Sequence, residues 1–232
     1  MKKNLLVLLL IFNSITSKAQ EKMKIIYVYD ALCGWCYGFA PEMNQFQEKY
    51  QDSLSFEVIS GGMITGNRIG PIGEVASYIA SAYKVVENAT SVKFGDEFLN
   101  KTLKNGEAIF TSIPSSIALA VFKKMDPKNS IQFASELQKA IYFDGCEPED
   151  LNVYGRIAAK FGQNSEDFIL KMKDPSYLNY AEEDFEISSN LGVTGFPTVF
   201  LEVNGVHHRI ASGFVSFKEL ENNYLTFKNK KQ

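Results

Sequence analysis

The chain has only two histidines and three cysteines in 232 residues. A structural zinc cage takes four Cys or His ligands at set spacings, and these few do not supply two ligand pairs so spaced, while no carboxylate motif offers another metal site. Charge of one sign is also missing: 24 Lys and Arg stand against 27 Asp and Glu, for a net charge of −3. That leaves no basic footprint for nucleic acid. The composition, 45% hydrophobic and 22% charged, excludes a disordered tail, a collagen-like rod and a cysteine-dense mini-protein. What remains is a globular chain of one or two domains, long enough for a sizeable core.

A long apolar run is lacking too. Leu5 to Phe12 is an unbroken apolar stretch of eight residues, well short of the roughly 20 that span a bilayer. Lys2 and Lys3 precede it, and Ser17-Lys18-Ala19 places small residues before Gln20. This is the layout of a secretory signal peptide over residues 1–19. The competing reading is a short buried helix, and the lack of any Asp or Glu in that stretch argues against it. The mature chain is therefore expected to be exported and soluble: periplasmic in a Gram-negative bacterium, secreted otherwise. No stable membrane insertion is expected after signal removal.

Export changes the reading of the cysteines, because an oxidising compartment permits disulfides. Three cysteines cannot all pair within one chain, and Cys33 and Cys36 stand only three apart. A disulfide across so small a loop adds little stability by chain entropy, so the pair is better explained by chemistry.

Lys24 to Asp30 is β-branched and aromatic and reads as a strand buried on both faces. A helix follows Cys33, with Phe39, Met43, Phe46 and Tyr50 on its apolar face. Pro41 should kink it or mark a fresh first turn. Leu54 to Ser60 alternates and reads as a second strand, closed by Gly61-Gly62, which completes a βαβ unit. From about 65 to 190 the pattern is helical, with no convincing strand. Helices are expected near Glu74–Tyr83, Pro114–Met125, Ile131–Phe143, Leu151–Phe161, after Ser165 as far as a stop at Asp174-Pro175, and Leu178–Leu191. Thr198–Val203, Asn204-Gly205 and Val206–Ala211 read as a hairpin with a type I′ turn. Ser216–Phe227 reads as a final helix with Ser216 as N-cap and Glu219 at the capping-box position. The two αβ fragments can join into one four-stranded sheet carrying the helices as an insertion. The predicted layout is a thioredoxin-like domain from 20–64 and 186–232, with a helical insertion over 65–185.

Cys33-Gly34-Trp35-Cys36 lies between a strand and a helix. Unpaired N–H groups and the dipole at a helix start favour a thiolate. Such a thiolate attacks a substrate sulfur, and Cys36, one turn later and more buried, then resolves the mixed disulfide. A structural disulfide or half of a zinc site are the bland alternatives, and no second Cys pair supports zinc. Gly192-Val-Thr-Gly-Phe-Pro-Thr198 is the second element. Gly195 there permits an unusual backbone angle, and Pro197 before the returning strand can be cis. Beside a CxxC, this turn would hold backbone groups against the disulfide and leave an edge for a substrate peptide. Trp35, the single tryptophan, is expected to be partly exposed and to touch substrates or simply pack under the insertion. Cys146 reads as an inert buried thiol. His207 and His208 are adjacent on a strand and point to opposite faces, so they form no chelating pair. Asn88-Ala-Thr90 and Asn100-Lys-Thr102 match the glycosylation sequon, a pattern common by chance.

Cys33-Gly-Trp-Cys36 and Gly195-Phe-Pro-Thr198, with helices between the two halves, resemble the DsbA-like branch of the thioredoxin fold. Tyr29-Asp-Ala-Leu-Cys-Gly-Trp-Cys-Tyr-Gly38 and Ala140-Ile-Tyr-Phe-Asp-Gly145, with the helix ending Ala158-Ala-Lys-Phe-Gly162, are similar to the FrnE-like disulfide isomerase subgroup. The resemblance covers nearly all of the mature chain. It implies an α/β thioredoxin fold with a large all-helical insertion and a thiol–disulfide oxidoreductase with Cys33 as nucleophile, Cys36 as resolver and Pro197 cis. Trp35, Phe196 and Pro197 are then the candidate substrate contacts. No metal and no cofactor are called for. The expected partners are substrate proteins with thiols or disulfides and an unidentified partner that recycles the site, with the protein itself a monomer. Two departures stand out: Ala31 replaces a Pro frequent in the subgroup, and Gly34-Trp35 replaces the Pro-His of the typical DsbA oxidase, so that oxidase's potential does not carry over. Net oxidation is favoured over isomerisation or reduction by the exported compartment. A glutathione-dependent transferase or isomerase on small molecules, and a non-enzymatic DsbA-like adaptor, are the alternatives.

Overall fold

The computed structural model describes residues 23–229. Residues 1–19, which the sequence reads as a signal peptide, lie outside them. β1 (Met23–Tyr29) leads through a short turn into α1 (Gly34–Tyr50), and β2 (Ser55–Ser60) returns parallel to β1. After the helical stretch, β5 (Thr198–Val203) pairs antiparallel with β1, and β6 (Val206–Ser212) pairs with β5 across a bulge at Val199/Phe200. The sheet order is β2-β1-β5-β6. Its hairpin turns at Asn204 and Gly205, both at positive φ (52° and 80°), as a type I′ turn requires. α9 (Phe217–Asn229) is the last described element, with Ser216 Oγ accepting from the Glu219 N–H and the Glu42 carboxylate accepting from the Phe217 N–H.

Between β2 and β5 lie α2 (Ala76–Ala89), α3 (Leu103–Asn105), α4 (Ile113–Met125), α5 (Ser130–Tyr142), α6 (Leu151–Lys160), α7 (Ser165–Met172) and α8 (Pro175–Asn190). This is a thioredoxin sheet carrying a block of helices. The stretch is not free of strands, as the sequence led us to expect: β3 (Gly70–Pro71) and β4 (Ile109–Phe110) form a ladder of two residues each. A strand that short has no room for the alternation by which strands are recognised. A π-helical turn over Glu97–Thr102, running into α3, was also not anticipated. Asp174-Pro175 does more than stop a helix. The Asp174 carboxylate accepts from the Ser176 N–H and Pro175 sits in the first turn, so the pair starts α8, three residues before Leu178. α2 begins two residues later than expected and runs six residues further. α1 passes through Pro41 as one helix, without a fresh start there.

β1 is buried on both faces. Ile25, Tyr27 and Tyr29 face α1 and join one apolar core that continues into α4, α5, α6 and α7 through Phe122, Phe133, Tyr154 and Phe168. Ile26 and Val28 face the other way, with Ile59 and Phe200, under Leu191, Val193 and Phe196. The period-two alternation of β1 thus aims one set of residues at the helix carrying the cysteines and the other at the loop carrying Pro197.

Candidate active site

The site begins where β1 ends. The Asp30 side chain accepts from the Leu32 N–H (2.9 Å), and its backbone carbonyl accepts from the Cys33 N–H (3.1 Å), which closes a tight turn. Cys33 is the N-cap residue of α1, in extended conformation (φ −95°, ψ 111°). Its side chain caps no backbone N–H, so its sulfur stands at the positive end of the helix. Cys36 lies one turn on. The two differ sharply in access: Cys33 is 8% exposed and Cys36 fully buried. Burial, and then the neighbouring Cys33 sulfur, push the Cys36 thiol well up. Both cysteines are free thiols here.

The second sequence element arrives from the opposite end of the chain. The Phe196–Pro197 bond is cis, and the Cys33 Sγ donates to the Phe196 carbonyl at 3.5 Å. The loop is held by the Thr198 hydroxyl on the Gly195 carbonyl (2.8 Å) and by the Gly213 N–H on the Pro197 carbonyl (2.8 Å). Gly61 makes room for the Phe196 ring: a Cβ there would come within 2.1 Å of it. The conformational role assigned to Gly195 is not observed. Gly195 is not at positive φ and would meet nothing as alanine, whereas Gly192, the C′ residue after α8, sits at φ 68°. The special angle ends the helix and does not shape the proline turn.

Trp35 is half-buried, its ring 6.3 Å from Phe214, which in turn meets Phe39 edge-on at 6.4 Å. The structure therefore gathers Cys33, Cys36, Trp35, Phe196 and Pro197 at one end of the sheet. Cys146 is only half-buried where a buried thiol was expected. Its thiol is pushed up by burial and then by Asp144. His207 pairs with Glu202 at 3.2 Å while His208 packs on Phe227 at 4.2 Å, so the two histidines do face different surroundings.

Several residues that sequence reasoning gave no role complete the site. Asp30 is 1% exposed and accepts three hydrogen bonds: from the Leu32 N–H, the Ser112 hydroxyl (2.9 Å) and the Met63 N–H (2.7 Å). Burial nevertheless raises its carboxyl above the usual range. The Tyr142 hydroxyl donates to the Leu32 carbonyl, and the Gln138 amide donates to the Asp30 carbonyl at 3.3 Å. α5 thus grips the turn before Cys33 from the helical side. Asp30 and Tyr142 fall inside the two segments that carry the family resemblance. A polar residue ending a buried strand was the available signal for Asp30.

Beside Cys33, with Phe196 not among its walls, a cavity of about 260 Å³ opens between the α1 start and α2. Trp35, Met63, Tyr78, Ile79, Tyr83 and Phe94 are among its walls, and among the described residues no charged side chain lines it.

The family model described as DSBA-like thioredoxin domain matches residues 24–225. Among solved structures, the chain is similar to a "putative protein disulfide isomerase" from Nitrosomonas europaea, at 21% identity and TM-score 0.81, covering 91% of this chain and all of that one. It is similar to the cytosolic disulfide reductase DsbM from Pseudomonas aeruginosa, at 23% identity and TM-score 0.76, over 90% of this chain and 98% of the other. It is also similar to the oxidoreductase DsbA from Xylella fastidiosa, at 12% identity and TM-score 0.56, over 91% and 88%. At these identities the likeness is one of fold. No curated protein matches the chain.

Proposed function

The chain belongs to the DSBA-like thioredoxin domain family of thiol–disulfide oxidoreductases, and from that premise we propose that it is an exported enzyme that oxidises protein thiols through the Cys33–Cys36 pair. The observation that carries the reading is the 3.5 Å contact between Cys33 Sγ and the Phe196 carbonyl. It sets a thiol at a helix start against an irregular stretch of backbone, where an extended substrate chain can lie beside the sulfur. Cys33 is the attacked and attacking sulfur, because it alone of the pair has any exposure. A substrate thiolate attacks Cys33 Sγ of the enzyme disulfide, and Cys36 leaves. A second substrate thiolate then takes the substrate sulfur from Cys33, leaving a substrate disulfide and the enzyme dithiol. A separate redox partner returns the site to its disulfide form. The signal-like residues 1–19 support an oxidising compartment, and with it net oxidation.

In this reading Trp35, Phe196 and Pro197 contact the substrate. The thioredoxin-like part is 20–64 with 186–232, the insertion is 65–185, and the protein acts as a monomer without metal or cofactor. The cavity beside Cys33 receives a bulky apolar side chain next to the substrate cysteine. Its volume lies below the roughly 300–1,000 Å³ usual for small-molecule sites. Its uncharged walls offer nothing to the two carboxylates and the ammonium of glutathione, which favours protein substrates over the glutathione-dependent reading.

Insulin reduction measured with and without glutathione separates those two readings: turnover with dithiothreitol alone supports protein substrates, and an absolute need for glutathione overturns them. Cys33→Ser should abolish exchange, while Cys36→Ser should accumulate mixed disulfides with substrates. The opposite pattern would reverse the roles. Rapid alkylation in intact cells should find the pair as a disulfide, and a mostly reduced pair there rules out the oxidase direction.

A further inference from the structure

Tyr27 sits in the middle of β1, 2% exposed, with its ring packed at 5.6 Å from Tyr29 and 5.8 Å from Phe39. Phe39 and Cys36 are three residues apart on α1 and therefore share a face, so Tyr27 lies under the same helix surface that buries Cys36. The Tyr27 hydroxyl is enclosed and has no hydrogen-bond partner. A buried O–H left unpaired costs stability, and a phenylalanine would fill the same space without that cost. The other titratable groups around the Cys36 sulfur are Cys33, Asp30, Tyr29 and Tyr142. Asp30 is an acceptor for three donors, and the Tyr142 hydroxyl is committed to the Leu32 carbonyl.

We propose that the Tyr27 hydroxyl is the donor that stabilises the Cys36 sulfur whenever that sulfur carries negative charge. The proposal rests on the dithiol reading above and applies in either direction of electron flow. In the resolving direction, the Cys36 thiol gives up its proton and its sulfur attacks Cys33 Sγ of the mixed disulfide. The Cys33–substrate bond breaks, the Cys33–Cys36 bond forms, and the departing substrate thiolate takes a proton. The enzyme dithiol is oxidised and the substrate disulfide is reduced. In the reverse direction Cys36 is the leaving thiolate, and the same hydroxyl meets it. A fully buried sulfur has no water to carry out this solvation, and a hydrogen bond to a charged group is worth about tenfold to a hundredfold in rate or population. Burial keeps the hydroxyl protonated: its own ionisation is pushed far up, with Cys36 the first charged neighbour to add to the effect. It is therefore a donor throughout the working range and not a base.

The test uses Tyr27→Phe in the full-length protein with Cys146→Ser, and dithiobis-nitrobenzoate as the disulfide. Attack by Cys33 releases a first thionitrobenzoate, and resolution by Cys36 releases a second. Tyr27→Phe should leave the first phase within about twofold. It should slow the second phase by at least about tenfold and move that phase's pH midpoint upward. Tm of the reduced form should hold or rise, since only an unpaired oxygen is removed. Site-specific 3-fluorotyrosine at position 27, a stronger donor, should speed the second phase, which keeps the question open to measurement if Tyr27→Phe folds poorly. An unchanged second phase, or both phases slowed alike, overturns the proposal. Absence of the first phase in the unsubstituted protein defeats the oxidoreductase reading instead, whatever Tyr27 does.

Discussion

The two sides of Cys33 are built differently. On the sheet side, the Phe196–Pro197 loop is held by the Thr198 hydroxyl at the start of β5 and by the Gly213 N–H just after β6, and it reaches the sulfur through a carbonyl. On the helical side, the wall is α2, of which Val86 alone is buried, while Tyr78 stands 68% exposed at the cavity rim. One side is over-determined and the other is loosely packed. Reaction geometry tolerates little displacement, whereas a surface that must accept many sequences gains from side chains that can rearrange. We read the sheet side as fixing the chemistry and α2 as setting which polypeptides are accepted.

The strongest way to break that comparison is to disturb the rigid side. Gly61→Val would place atoms where the Phe196 ring now lies, at 2.1 Å from the position of a Cβ. The ring is half-buried and must swing away, taking its loop out of register with Cys33. We expect kcat/KM for insulin reduction to fall about tenfold, with an overpacking cost of about 1–3 kcal/mol seen in chemical denaturation. Wild-type turnover at a normal midpoint would show that Phe196 does not position the site.

The loose side should respond otherwise. Tyr78→Ala removes a ring that is mostly in water, so stability should stay within about 0.5 kcal/mol. The KM for peptides with an aromatic residue next to the cysteine should rise several-fold. Reaction with a small charged disulfide should not change. Equal losses on both substrates would mean that α2 supports the fold of the site and does not select what enters it.

How far this division could be read from sequence follows from the kind of signal each part carries. Cys33, Cys36 and Pro197 announce themselves by residue type and spacing beside a strand and a helix. The four-stranded sheet followed from β-branched runs and the Asn204-Gly205 turn. The facing of α2 could not be read, because which side of the helix meets Cys33 depends on how α1 and the turn at Ile72–Val75 place it. Asp30, beyond being a polar residue at the end of a buried strand, carried no signal of its role, and Tyr27 carried none at all, for a related reason. Their meaning lies in what surrounds them in space: three donors for one, and an enclosed hydroxyl without a hydrogen-bond partner for the other. Gly195 shows the opposite failure, since a glycine in a suggestive motif turned out to need no special angle, while Gly192 did.

Asp30 ties the turn before Cys33 to the segments beside it, and it yields the smallest of the expected effects. Its carboxylate takes the Met63 N–H from the loop after β2 and the Ser112 hydroxyl from the start of α4. Burial raises its folded pKa above the roughly 3.9 of an unfolded Asp. A raised folded pKa means that the native state holds the proton more tightly than the unfolded chain. The associated stability is fully present below about pH 3.9 and is lost as pH climbs through the folded pKa, at about 1.4 kcal/mol for each unit of separation. Asp184 is raised in the same sense and Glu202 and Glu221 in the opposite one, so the total pH dependence does not isolate Asp30. The difference between wild type and Asp30→Asn does. The amide nitrogen cannot accept at all, whereas the hydroxyl oxygen of the protonated acid still can, so the variant should be weaker by about 1 kcal/mol at low pH. That gap should narrow as pH rises and the wild type begins to bury a charge. Urea denaturation at several pH values between about 4 and 7 measures it. A gap that stays constant across that range would mean that Asp30 ionises as readily folded as unfolded, and that its three donors fully offset its burial.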